Sequence, residues 1–278
     1  MGDSFFNGFP LILLLVSIGF LVGSYGTLVG LGGAVVLTPV LLLLYPEANP
    51  QVLTSITMGV VFLNSLSGTL TYARQKRIDY RNGLYFAIAA MPGTIIGVWL
   101  LRFIQQQLFS IIFGALLLVF ASIIWLRPKA KPTFSASNNP SCVLVDSSGM
   151  RFSYRCNRPL GILLSFAVGF IAGLMGIGGG IIHMPMLLYV LHFPMHIATA
   201  TSHFMLVFTG FTGTFTHATA GTYAQSWQIL LWIALGVIPG AQVGAWLSPK
   251  IKEPALVRLL ALALVLAGIR LVVLGIWG

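Results

Sequence analysis

Acidic side chains are almost missing from this chain. Asp3, Glu47, Asp79, Asp146 and Glu253 are the whole complement in 278 residues, and none falls inside an apolar block. That absence removes carboxylates as intramembrane ligands for Na⁺ or as proton carriers. Charge of either sign is scarce, at 7% of residues, against roughly 25% in a soluble domain. There are two cysteines, Cys142 and Cys156, too few for a disulfide framework. The five histidines show no HExxH spacing, and no acid could join them within a span, so neither a metal nor a cofactor is expected. No serine–histidine pair stands in a recognisable nucleophile motif. A membrane-embedded enzyme therefore fails on inventory.

Apolar sequence dominates instead. The chain is 57% hydrophobic with a mean hydropathy of +0.95, and several of its runs reach the roughly 20 residues that cross a bilayer. The first run, Leu11 to Tyr45, lacks a basic leader and is too long for a signal core. It is expected to belong to the mature protein. The net charge of +10 could suit nucleic acid, but there is no soluble domain to hold a recognition element. The placement of the charge points to topology. Arg74, Lys76, Arg77 and Arg81 share one short loop, and Arg127, Lys129, Lys131, Arg151, Arg155 and Arg158 share another. Such clusters mark the cytoplasmic face.

The stretch that organises the rest is Gly176-Ile177-Gly178-Gly179-Gly180-Ile181-Ile182-His183-Met184-Pro185, and Gly30-Leu31-Gly32-Gly33-Ala34-Val35-Val36-Leu37-Thr38-Pro39 nearly repeats it. Glycine is about 1 kcal/mol worse than alanine inside a helix, and proline removes a donor. Each stretch breaks an apolar block. The duplication continues: Thr54-Ser55 matches Thr201-Ser202, Ser67 to Tyr72 matches Thr212 to His217, and Pro92-Gly93 to Leu100 matches Pro239-Gly240 to Leu247. Four landmarks in one order make an internal repeat. Residues 1–127 form a first transmembrane repeat and 159–278 a second. Residues 128–158 are a basic cytoplasmic linker, in which apolar runs around Asp146-Ser147-Ser148-Gly149 suggest a β-hairpin.

The fold class is an all-α polytopic membrane protein with two homologous repeats and roughly eight to ten membrane helices, two of them Gly/Pro-broken. An inverted arrangement leaves only Arg102 and Arg270 off the cytoplasmic side, so the positive-inside rule leans to inversion. It requires each broken block to act as a full arm, such as Phe9 to Val29, followed by a short arm, such as Ala34 to Tyr45. A parallel arrangement, with four spans per half, stays open.

Helices that begin just after Gly33 and Gly180 would present unpaired N–H groups carrying roughly half a positive charge. Glycine would let an anion approach them. The expected site therefore comprises Gly30, Gly32 and Gly33 with Gly176, Gly178, Gly179 and Gly180. Thr54, Ser55, Thr201 and Ser202 supply hydroxyls, with Thr38, Thr57 and Thr199 near them. With no acid in any span, His183, His203 and His217 are the intramembrane groups whose unperturbed pKa lies near neutrality. His183 and His203 join the expected site. The plainer alternative is that the glycines only let helices pack closely.

The paired Gly-rich/Pro turns, with Ala198-Thr199-Ala200-Thr201-Ser202 after the second and Gly213 to His217 beyond, resemble the sulfite exporter TauE/SafE family over essentially the whole chain. The resemblance implies a multi-pass inner-membrane protein that exports a small sulfur oxyanion or organosulfonate, such as sulfite or sulfoacetate. Ala34 stands where the second turn has Gly180, so the halves need not contact a solute equally. The partners expected are a small anionic solute and the lipid bilayer, not nucleic acid. A homodimer, another small anion or metabolite as cargo, and a non-transporting assembly role remain open at this point.

Overall fold

The computed structural model describes residues 9–45, 48–125, 142–147, 149–154 and 156–248, with isolated positions between 265 and 276. The helices are α1 (Phe9–Val29), α2 (Ala34–Leu44), α3 (Pro50–Arg74), α4 (Tyr80–Leu100), α5 (Gln106–Trp125), α6 (Arg158–Met175), α7 (Gly180–Pro185), α8 (Met195–Thr219) and α9 (Trp227–Leu247). A π-turn, Met186–Val190, extends α7, and single 3₁₀ turns lie at Leu101–Phe103 and Thr222–Gln225. Strands β1 (Cys142–Val145) and β2 (Arg151–Tyr154) pair antiparallel, with Cys142 opposite Tyr154. Residues 126–141, Arg155, Arg258, Arg270 and most of the expected last span lie outside the described residues. The chain is an all-α polytopic membrane protein. Five helices, Pro10–Val29, Pro50–Arg74, Tyr80–Phe103, Arg158–Met175 and Trp227–Leu247, are long and apolar enough to cross a bilayer.

Local chemistry sets the helix ends. Asn49 accepts the Gln51 N–H and Pro50 follows it, which starts α3. Asp79 caps α4 by accepting the Asn82 N–H, and Asn157 caps α6 by accepting that of Leu160. α1 stops at Gly30 and α6 at Gly176, both with positive φ. That left-handed geometry is nearly free for glycine and terminates a helix.

Packing fixes the directions. α3 and α8 cross antiparallel, with Gly68 against His203, Phe62 against Gly210, and Met58 against Gly213. The start of α3 meets the corner between α8 and α9, where the Tyr223 hydroxyl donates to Ser55 O at 2.8 Å. The end of α3 meets the end of α9, where Gln75 Nε2 donates to Ala245 O. α1 runs parallel to α9: Gly19 lies against Ile233 and Gly23 against Val237. α4 runs parallel to α6, with Ala90 against Gly169 and Thr94 against Gly173. α6 starts beside the start of α4, where Arg158 Nε donates to Asn82 Oδ1 at 2.8 Å. Hence α1 enters from the α8–α9 corner and α6 enters from the hairpin side, in opposite directions.

Each short arm then doubles back. α2 has 11 residues, about 16 Å of helix, and leads to α3, which begins on the side where α1 began. α7 and its π-turn return to the hairpin side, where the Phe193 ring packs at a tilt against Tyr154, centroids 4.6 Å apart. Small residues make these approaches close. A β-carbon at Gly236 would run into the Val16 carbonyl, and one at Gly169 into that of Ala90. Gly236→Val and Gly169→Val should each destabilise the protein by about 1–3 kcal/mol, the cost of overpacking. The measurement is a lowered melting temperature in detergent; unchanged melting would mean the helices can separate without loss.

Candidate solute-binding site

The two glycine turns lie against each other and against the α3–α8 pair. Gly180 approaches the Leu31 backbone so closely that a β-carbon there would lie 2.5 Å from Leu31 O. α2 and α7 therefore begin side by side. Since α2 leads toward the α8–α9 corner and α7 toward the hairpin side, their positive N-terminal ends converge.

The amides of the turns divide into two groups. Leu31 N–H and Gly32 N–H both donate to Gly26 O, at 2.7 and 3.2 Å, and Ile177 N–H donates to Ala172 O. Those of Gly33, Ala34 and Val35 find no protein acceptor among the described residues, and neither do those of Gly178, Gly179, Gly180 and Ile181. No side chain caps either helix start. The turn carbonyls are tied from α8: Ser202 Oγ donates to Gly30 O at 3.2 Å, and Thr209 Oγ1 donates to Gly178 O at 2.8 Å.

The expected site residues separate by location. Gly30 packs on Thr199 and Gly176 on Thr54, so by contact the counterpart of Thr54 is Thr199 rather than Thr201. Thr54 Oγ1 bonds back to Pro50 O at 2.8 Å and faces His217 Nε2 at 3.4 Å. Ser55 sits near the α8–α9 corner, donating to Val52 O and lying 3.4 Å from Ser226 Oγ. Thr201 is engaged toward the other face, its Oγ1 accepting the Asp79 N–H at 3.0 Å. Gly32 and Gly178 both lie under Val61 and Leu206, and Gly33 packs on Val22.

His183 is fully buried beside Gly179, and neither ring nitrogen has a partner. Buried polar atoms are normally satisfied, so an imidazole with both nitrogens unpaired is unusual. Thr38 Oγ1 is also buried without a partner. His203 belongs to a different group. Its Nε2 lies 3.3 Å from Thr27 Oγ1, which donates to Asn64 Oδ1, while Tyr72 donates to Thr27 O at 2.8 Å. Sequence reading missed Thr27, Asn64 and Thr209. Thr209 was findable, since it follows Ser202 by two turns on one helix face. Asn64 escaped a census of ionisable groups because an amide does not titrate.

The hairpin side carries the polar network. The Asp79 carboxylate accepts from Asn82 Nδ2 at 2.6 Å and from the Tyr154 hydroxyl at 2.5 Å. Asn82 Nδ2 also donates to Cys142 Sγ at 3.3 Å, and Arg77 pairs with Asp146 at 3.2 Å. Burial, with the Asp79 charge adding to it, pushes the Tyr154 phenol well above its ordinary range, so it stays a donor. Burial and the neighbouring Cys142 push the Cys156 thiol up to about 12, which keeps it protonated and unreactive at neutral pH. Neither cysteine is in a disulfide.

Comparison with known proteins gives one consistent picture. A family model described as "Sulfite exporter TauE/SafE" matches residues 15–271. The chain is 31% identical over 271 residues to the probable membrane transporter protein YunE of Bacillus subtilis, covering 95% of this chain and 98% of that one. It is 26% identical over 270 residues to YjnA of the same organism, also a probable membrane transporter protein, covering 93% and 98%. It is 25% identical over 255 residues to a probable membrane transporter protein of Methanocaldococcus jannaschii, covering 87% and 88%. No solved structure matches.

Three substitutions test the supports. Thr209→Val keeps the volume but strips the donor from a buried carbonyl, which should cost about 1–3 kcal/mol. Ser122→Ala, on an exposed residue bonded only within its own helix, should stay within about 0.5 kcal/mol. Equal melting temperatures for the two would remove the carbonyl tie as a stabilising contact. Tyr154→Phe removes a donor to a buried carboxylate and should loosen the hairpin, read as faster proteolysis between β1 and β2.

Proposed function

The chain belongs to the sulfite exporter TauE/SafE family, and from that premise we propose that it exports a small sulfur-containing anion across a bacterial plasma membrane. Sulfite, or an organosulfonate such as sulfoacetate, is the cargo that the family description and the site chemistry suit together. The single observation that carries this reading is the pair of touching glycine turns whose unengaged amides belong to two converging helix ends. An anion set between Gly33–Val35 and Gly178–Ile181 would exchange its water for backbone donors without a fixed cation. A proposed inverted repeat brings one donor set from each half. The opposite directions of α1 and α6 support it, and so does the reciprocal packing of α1 on α9 and α4 on α6. Alternating exposure of a fixed mid-membrane site would follow from rocking one half against the other.

The basic residues at the end of α3 and the start of α6 support a cytoplasmic position for the hairpin. With no carboxylate at the turns, the membrane potential is the available drive. Inside negative, it favours anion exit by about 2.3 kcal/mol per charge per 100 mV. His183 is an ionisable side chain beside Gly179 of the second turn, so a linked proton would be carried there.

Proteoliposomes loaded with labelled sulfite or sulfoacetate provide the test. Efflux is expected to speed up when a K⁺ diffusion potential makes the lumen negative. His183→Gln should leave that electrical response and remove any response to an imposed pH gradient. Absence of flux for both anions at every potential would overturn the reading.

A further inference from the structure

Most interface glycines in this fold are small because another backbone lies on them. A β-carbon at Gly23, Gly93, Gly97 or Gly244 would meet a main-chain carbonyl. Gly32 and Gly178 differ. A β-carbon at Gly178 would lie 2.5 Å from Val61 Cγ1 and 3.3 Å from Leu206 Cδ2. One at Gly32 would lie 2.8 Å from Leu206 Cδ1 and 3.6 Å from Val61 Cγ1. The same two side chains thus cover both turns, one from each half, at the crossing of α3 and α8. Both are fully buried.

These contacts set apolar groups over a polar place. The glycines have positive φ and border the unengaged amides, yet what rests on them is methyl groups that cannot accept a hydrogen bond. A hydrated anion would be repelled there, because an apolar constriction excludes water and with it the charge that needs water. The cover consists of side-chain ends rather than backbone, so it can move without separating the helices. Valine in a helix is held to essentially one rotamer, whereas leucine is unbranched at its β-carbon and turns about a second side-chain bond. Val61 is then the fixed ledge and Leu206 the moving leaf.

We propose that Val61 and Leu206 form the apolar gate of the anion path and set the size of solute that reaches the glycine turns. This rests on the transport reading above. The residue pair is a specificity determinant for compact oxyanions: the gap left when Leu206 swings away admits a small tetrahedral or pyramidal head and disfavours one that carries a carbon substituent.

The test uses the full-length protein in proteoliposomes, with labelled sulfite and labelled sulfoacetate as separate probes. Val61→Ala combined with Leu206→Ala should raise the sulfoacetate-to-sulfite flux ratio by about tenfold or more, the discrimination that one or two methylene groups supply in an apolar pocket. Leu117→Ala, equally buried on α5, should leave the ratio unchanged. Val61→Thr keeps the volume and adds a hydroxyl, so it should wet the gate and speed both fluxes while leaving the ratio as it was. If the alanine double variant does not remain monodisperse, the threonine variant decides alone. A ratio and rates within about twofold of the parent protein, in a parent that does transport, would overturn the gate and leave the transport reading standing. No flux in the parent protein for either probe would overturn both.

Discussion

A broken helix inside a bilayer must satisfy the main-chain groups it exposes, and that requirement shapes the whole molecule. Hydrocarbon offers no partner for a free carbonyl, and each one left alone costs several kcal/mol. α8 meets this need with hydroxyls at two levels, Ser202 on Gly30 O and Thr209 on Gly178 O. One helix therefore holds both turns in place. α8 is rich in threonine and carries His203 and His217, side chains that belong among other helices rather than against lipid. Exposed apolar side chains lie instead on α1, α4, α6 and α9, among them Leu21, Ile96, Leu163 and Trp246, as suits helices that meet lipid.

Polarity is distributed by depth. The ion pair found among the described residues, Arg77–Asp146, lies at the hairpin, together with the carboxylate of Asp79. Among the described residues, the surroundings of the glycine turns hold amides, hydroxyls and imidazoles but no acid. The proposed site, if built so, would favour a negative solute without binding it as tightly as a buried lysine or arginine would. Release is as necessary as capture in a transporter, so a modest field from helix ends suits the task.

Much of this was legible in the sequence, for physical reasons that can be named. Gly30, Gly33, Gly176 and Gly179 adopt positive φ, so the break in each apolar block was written in residues that tolerate that geometry. Asn49, Asp79 and Asn157 cap helix starts in the structure, a side-chain signal that the hydropathy pattern alone does not single out. The Asp-Ser-Ser-Gly segment between two short apolar runs marked the turn between β1 and β2. What stayed hidden depends on partners far away in the chain. Thr201 looked equivalent to Thr54 because both precede a serine, yet its hydroxyl serves the Asp79 amide while Thr199 meets Gly30. Local identity cannot reveal which turn of a helix faces a neighbour. Val61 and Leu206 were invisible for the same reason, since nothing distinguishes them from other apolar residues until α3 and α8 cross.

The pairing of α1 with α9 has a consequence for biosynthesis. Helix α1 has as its main partner one made almost two hundred residues later. At about 5–20 residues per second, α1 waits in the lipid for ten seconds or more with its glycine face at Gly19 and Gly23 uncovered. Assembly of this protein is thus a late event that closes when α9 arrives. A chain arrested before that helix emerges would offer its small-residue seam to any other nascent membrane protein nearby.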